Sequence, residues 1–196
     1  MTPERKNRIT SVLDKRQPDL TLVFENVHDP HNIAAVMRTC DAVGVQEIFI
    51  LTTKASTTHK YGKKSSASAA AWLTIHHYTD AAACFKAVKE RYQRVMATHL
   101  NEQAQSLYDI DLTASIALVF GNEHSGITSE ALSYCDGNFI IPQVGMVQSL
   151  NISVACAVTL YEAFRQRSGK GYYDAPRLSQ TQYRQLQQTW GMLPEG

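Results

Sequence analysis

The feature that most limits what this chain can fold into is an alternation. Six short apolar runs, LTLVFE (20–25), VQEIFIL (45–51), WLTIHHY (72–78), RVMATHL (94–100), IALVF (116–120) and NFIIP (138–142), are separated by stretches with helical periodicity. The runs have strand length and are rich in β-branched and aromatic residues. The intervening patterns IAAVMRTCDAVG, TDAAACFKAVKERY, TSEALSYC and SLNISVACAVTLYEAFRQR repeat their apolar positions at helical spacing. Strands alternating with helices predict an α/β fold: a mainly parallel sheet with helices on both faces.

The two ends read differently. The segment PERKNRITSVLDKRQPD places Ile9, Val12 and Leu13 at helical spacing and stops at Pro18. Beyond Arg167, SGKGYYDAP is loop-like, and SQTQYRQLQQTWG begins a short polar helix at a serine N-cap. The expected organisation is an N-terminal helical extension (1–19), one α/β body (20–167) and a C-terminal helical extension (168–196). A chain of 196 residues is long enough for one sizeable core with such appendages.

Composition narrows the class. A hydrophobic fraction of 44% with 19% charged residues excludes a disordered chain. No apolar run reaches bilayer length, and the start MTPERKNRITSVLDKRQPDL has no apolar signal core, so a cytoplasmic protein without membrane partners is expected. Cys40, Cys84, Cys135 and Cys156 are scattered among apolar neighbours with no C-x-x-C pair, which predicts buried reduced thiols. The net charge of +1 conceals basic ends, each with five Lys/Arg against three Asp/Glu over residues 1–20 and 160–196. The stretch KASTTHKYGKK adds four lysines and no acid. That distribution suits a polyanion laid over part of the surface, and equally suits solvated faces.

Several chemistries lack their motifs. The first strand runs into NVHDPHN and not into G-x-G-x-x-G, which removes the usual nicotinamide oxidoreductase; there is no phosphate loop, G-x-S-x-G elbow or H-E-x-x-H. His28 and His31 raise the question of a metal, but no third ligand is near in sequence, and His76 and His77 point to opposite faces of a strand. No metal is expected.

Three polar clusters directly follow three apolar strands: NVHDPHNIAAVMR (26–38), GNEHSGI (121–127) and IPQVGMVQSLNIS (141–153). Ligands of parallel α/β sheets sit outside the carboxyl ends of strands, where loops and helix starts supply free backbone groups. Gly121, Gly126 and Gly145 permit tight turns and close approach to a ligand. Singly, each cluster has a plain explanation. Asn32 reads as a cap on the helix of Ile33, Val36, Met37 and Cys40, Arg38 as a surface ion pair, Glu123 as a first-turn acid and Ser149 as the residue opening the last long helix. Three together on three strand ends weigh more than any one.

The spacing N-x5-N-x5-R (Asn26, Asn32, Arg38), then G-N-E-x-x-G-I, then I-P-x-x-G-x-x-x-S-L-N-x-S-V-A resembles the three signature blocks of the SPOUT RNA 2′-O-ribose methyltransferases, over residues 20 to about 167. The start, PERKNRITSVLDKRQPDLTLVFENVHDPHN, further resembles the TrmH-type branch acting on guanosine 18 of tRNA. The resemblance implies a SPOUT-type sheet with a C-terminal trefoil knot, a homodimer with its active site at the subunit interface, and S-adenosylmethionine as methyl donor. Carried over by position, Thr98, Leu100, Gly121, Asn122, Ile141, Pro142, Met146, Ser149 and Leu150 would line the cofactor pocket. Arg38 would be the catalytic arginine, supported by Asn32, Glu123 and Asn151.

The two extensions favour the D-loop guanosine of tRNA over the wobble nucleotide or ribosomal RNA, with Arg8, Lys63, Lys64, Arg165, Arg167 and Arg177 expected on phosphates. A module that binds and folds tRNA without catalysis is the alternative from another class.

Overall fold

The computed structural model describes residues 1–53, 69–123 and 125–193. Seven strands form one sheet: β1 Leu20–Glu25, β2 Glu47–Leu51, β3 Thr74–Tyr78, β4 Arg94–Thr98, β5 Gln105–Ser106, β6 Ile116–Phe120 and β7 Gly137–Ile140. Their spatial order is β3-β2-β1-β6-β4-β7-β5, and every neighbouring pair is parallel. The helices are α1 Pro3–Leu13, α2 Pro30–Val43, α3 Ala81–Lys89, α4 Ser129–Ser133, α5 Ile152–Gly169 and α6 Gln180–Thr189.

Helices cover both faces of the sheet, as the alternation predicts. Alternate residues of β1 settle the two layers. Leu20, Leu22 and Phe24 join Ile33, Val36 and Met37 of α2 and Cys156, Leu160 and Ala163 of α5 in one core. Val23 faces the other layer, with Cys84, Phe85 and Val88 of α3 and Ala131 of α4. All six residues of β1 are buried, including Glu25 at its end.

Two boundaries depart from expectation. The run WLTIHHY splits into a 3₁₀ turn, Ala70–Trp72, and a strand that starts only at Thr74. The two-residue β5 carries no apolar run of its own and is defined by its pairing with β7. The cysteines are free thiols, three buried and Cys135 half-buried. Burial pushes the Cys84 and Cys135 thiols up to about 12 and those of Cys40 and Cys156 well above their ordinary value.

The terminal helices pack on each other. Ile9 and Leu13 of α1 meet Leu186 of α6 and Trp190 just beyond it, with Trp72 and Tyr183 against them. Two fully buried arginines tie this unit to the body. Arg16 donates to Asp41 at 2.7 Å and to the carbonyls of Val45 and Trp72, and its guanidinium lies over the Trp190 ring. Arg167 donates to Asp19, to Gln17 Oε1 at 3.1 Å and to the carbonyls of Leu112 and Ala114. Buried guanidinium groups are tolerated only when their donors are engaged in this way.

Candidate active site

The strand order brings the carboxyl ends of β1, β6, β4 and β7 side by side, so the three polar clusters emerge on one rim. The first cluster begins at Asn26, the only non-glycine residue among those described with a positive φ, 53°. An asparagine tolerates that conformation better than most residues. Its side chain is held by Thr53, whose N–H donates to Oδ1 at 2.9 Å, while Nδ2 donates to Thr53 Oγ1 at 3.0 Å. Its carbonyl accepts Asn122 Nδ2 at 2.9 Å, joining the first cluster to the second.

Asp29 caps α2, accepting from the N–H of His31 at 2.8 Å, and Pro30 occupies the first turn. Asn32 is therefore inside the first turn and not the cap. That placement leaves its side-chain amide available to other clusters. Asn32 Nδ2 donates to Glu123 Oε1 at 2.7 Å, and Asn32 Oδ1 accepts from Asn151 Nδ2 at 3.2 Å. One amide thus links residues from all three loops, 91 and 119 positions apart in the chain.

The second loop is closed at its root. Asn122 N donates to Gly126 O at 3.1 Å and Gly126 N to Asn122 O at 2.9 Å. A Cβ at Gly121 would lie 2.4 Å from the Gly126 carbonyl, so only glycine fits beneath this turn. In the third loop, Asn151 and not Ser149 caps α5, its Oδ1 accepting from the Ser153 N–H at 2.8 Å and hydroxyl at 2.6 Å. Ser149 precedes the helix and is exposed. Asn151 serves two ends at once: its oxygen holds the helix, which turns its NH₂ toward Asn32.

The expected cofactor residues gather at this rim. Thr98, at the end of β4, donates to the Val119 carbonyl at 3.1 Å. Leu100 is exposed, Ile141 and Leu150 are half-buried, and Pro142 is exposed. Met146 is 100% exposed, with Val144 and Val147 beside it in the chain also turned outward. Among the described residues, no backbone hydrogen bond within the protein involves residues 142–150. A stretch with outward apolar side chains and unused N–H and C=O groups is built to be covered.

Arg38 is exposed on α2, two turns past Asn32: about 9 Å further along the axis and about 120° around it on an ideal helix. Among the described residues, no group of three His, Cys, Asp or Glu side chains is arranged to hold a metal ion. A cavity of about 800 Å³ lies at the amino ends of β2 and β3 under α6, lined by Glu47, His76, Arg91 and Gln185, away from all three loops.

The expected phosphate contacts divide. Arg8 is exposed, and Arg165 is exposed with its guanidinium on Glu162 at 2.7 Å. Lys63 and Lys64 lie outside the described residues. The expectation for Arg167 is corrected: it is wholly buried, and the carbonyls and Asp19 around it consume its donors. Arg177 is largely occupied as well, with its guanidinium on Asp19 and stacked 3.7 Å from the Tyr172 ring centre. The sequence reading also passed over Glu25, a charged residue closing an otherwise apolar strand. Its oxygens accept from the N–H of Thr128 at 2.8 Å and from its hydroxyl at 2.5 Å.

A class of parallel α/β RNA methylases is what this sheet and these three loops resemble. The chain belongs to the SpoU rRNA Methylase family, whose model matches residues 19–161. It is 43% identical over 189 residues to a tRNA (guanosine(18)-2′-O)-methyltransferase of Thermus thermophilus, covering 96% of each chain. It is 42% identical over 177 residues to the enzyme of that name in Escherichia coli K12, covering 88% of this chain and 75% of that one. The crystal structure of the Aquifex aeolicus TrmH/SpoU tRNA modifying enzyme superposes with a TM-score of 0.86 at 33% identity, over 98% of both chains. The SpoU methyltransferase AviRb of Streptomyces viridochromogenes, solved with AdoMet, superposes with a TM-score of 0.69 at 25% identity, over 83% of this chain and 64% of that one.

Proposed function

We propose that this chain transfers a methyl group from S-adenosylmethionine to the ribose 2′-hydroxyl of guanosine 18 in the tRNA D-loop. The observation that carries the reading is the side-chain ladder Asn151–Asn32–Glu123, which fastens three strand-end loops into one rim. Relatives matched over nearly the whole chain are named for this reaction. The body at residues 20–167 would be the methyltransferase, with 1–19 and 168–196 as extensions, the knot in its C-terminal part and the cytoplasm as its place of work.

The rim fits the cofactor. A nucleoside needs apolar walls and backbone hydrogen bonds, and residues 141–150 offer both. Thr98, Leu100, Gly121, Asn122, Ile141, Pro142, Met146, Ser149 and Leu150 would hold it. When bound, S-adenosylmethionine supplies an electrophilic methyl carbon on a sulfonium. The acceptor ribose hydroxyl is a poor nucleophile, so the protein must align it and stabilise charge growing on its oxygen. Arg38 is the group for that charge. A guanidinium keeps its proton at ordinary pH, so Arg38 acts as a fixed cation and the proton goes to a tRNA phosphate held against it. Asn32 and Asn151 orient the ribose, and Glu123 holds the second loop to the first.

Arg38 stands two turns from the ladder on its own helix, and apolar Tyr161 and Phe164 are exposed on α5 as Val144 and Met146 are on the loop. Both features support a homodimer in which one protomer's arginine serves a rim completed by the other. Sedimentation of the purified chain as a monomer at micromolar concentration would remove this part of the reading.

The test is transfer of labelled methyl to an unmodified tRNA transcript beside the same transcript with 2′-deoxyguanosine at position 18. Label on the first alone is the expected result. Equal label on both would move the target nucleotide. No label on either, with tRNA and cofactor bound, would favour a non-catalytic RNA-binding module.

A further inference from the structure

Glu25 is 0% exposed, carries a carboxylate, and takes no part in the chemistry described so far. It closes β1, on the face of the sheet covered by α3 and α4. Its carboxylate accepts twice from one residue, Thr128, through the backbone N–H at 2.8 Å and the hydroxyl at 2.5 Å. Thr128 ends the second loop and caps α4, its Oγ1 accepting from the Ala131 N–H at 3.2 Å. The same loop is gripped at its start by the residue that follows β1, because the Asn26 carbonyl accepts Asn122 Nδ2. The last residue of β1 and the residue after it therefore hold the two ends of the loop that carries Gly121, Asn122 and Glu123.

The carboxylate is specifically suited to this task. The two donors fall on separate oxygens of the same side chain, the N–H on Oε2 and the hydroxyl on Oε1. Accepting the hydroxyl proton also leaves the Thr128 lone pairs facing Ala131, so one contact orients the cap. A glutamine of the same shape would present an NH₂ to that hydroxyl, which would then have to accept twice and donate nowhere.

We infer that Glu25 is a positioning residue for S-adenosylmethionine, acting through Thr128 on Gly121, Asn122 and Glu123 without touching the cofactor. The inference rests on the proposed function. A loop held at only one end shifts its glycine turn and Glu123 relative to Asn32, and a small misplacement at a binding rim is costly.

The experiment is calorimetric titration of the full-length protein with S-adenosylmethionine, alongside thermal unfolding without it and kinetics on tRNA. Absence of binding by the unsubstituted chain would strike the proposed function itself and take this inference with it. Given binding, Glu25→Gln should weaken it about tenfold and raise the KM for S-adenosylmethionine while leaving the KM for tRNA unchanged. Thr128→Val should match it, Thr128→Ser should keep full affinity, and the double variant Glu25→Gln/Thr128→Val should be no worse than either single change. Cofactor affinity within twofold of the unsubstituted protein in Glu25→Gln, even with a lower Tm, would make the contact purely stabilising and overturn the inference. Should Glu25→Gln not fold, the Thr128→Val and Thr128→Ser pair decides in the same way.

Discussion

The two ends of the sheet use the same residue types to opposite purposes. At the carboxyl end, side chains from three loops bond to one another across an exposed rim: Asn151 to Asn32 to Glu123, with Arg38 outward on α2. At the amino end, Arg16 and Arg167 are fully buried and donate to backbone carbonyls and aspartates. A guanidinium whose partners are carbonyls of its own chain is part of the fold. Arg38 instead stays at the surface of α2, further along the helix from Asn32. Burial, more than charge or position in sequence, separates the stabilising arginines from the one assigned to chemistry.

That contrast can be broken most forcefully at Arg167. Arg167→Ala should cost about 3–5 kcal/mol in denaturant unfolding, because Asp19 and several carbonyls lose their partner, while methyl transfer per folded molecule stays near that of the unsubstituted protein. Unchanged stability with weakened tRNA binding would return Arg167 to the RNA surface. Arg38→Ala should do the reverse: turnover lower by about 10²–10³-fold and an unfolding temperature within a degree or so. Arg38→Lys should be nearly as poor, and a lysine variant keeping most of the rate would show that the planar fork is irrelevant. Asn32→Ala removes both bonds of the ladder and should lower turnover about tenfold with a small change in stability; a labelled-methyl assay and a melting curve decide it.

The smallest expected effect lies at the amino end, at Glu47, which accepts from His76 at 2.8 Å and Arg91 at 2.6 Å. Burial pushes this carboxyl up, but the His76 hydrogen bond and the Arg91 charge outweigh it, so its pKa sits below the ordinary 4.5. A folded-state pKa below the unfolded one adds stability above about pH 4.5 that is lost as pH falls through the lowered value. Glu47→Gln should flatten the acid limb of a stability–pH curve and leave methyl transfer alone.

Much of the body was legible because it rests on period and apolarity. β6 is a continuous apolar run and β1 is apolar but for Thr21 and the closing Glu25, and the two stand adjacent at the centre of the sheet. β5 was not legible, since two residues have no period and pairing with β7 alone makes them a strand. Caps were misplaced by two or three residues for a related reason. Asp29, Asn32, Ser149 and Asn151 all have side chains able to cap, and only the backbone decides which one does. The three blocks of the site could be read from their spacing and resemblance. Their fastening could not, because Asn32 and Asn151 are 119 residues apart. Arg167 misled because an arginine near the end of a helix is usually solvated, and nothing local reports the carbonyls of Leu112 and Ala114 folding over it.

The packing of α1 against α6 has a consequence for how the chain is made. Ile9 and Leu13 are made before the whole of the sheet, and their partners Leu186 and Trp190 only after it. While the sheet is being made the first helix carries an apolar face without Leu186 and Trp190 to close on, and Arg167 reaches Gln17 across 150 residues of chain. Contacts so distant in sequence form late, after their loop-closure entropy has been met by the sheet between them. The clasp of α1 on α6 is thus expected late in folding, and a nascent chain arrested before Leu186 would present α1 to whatever binds exposed helices.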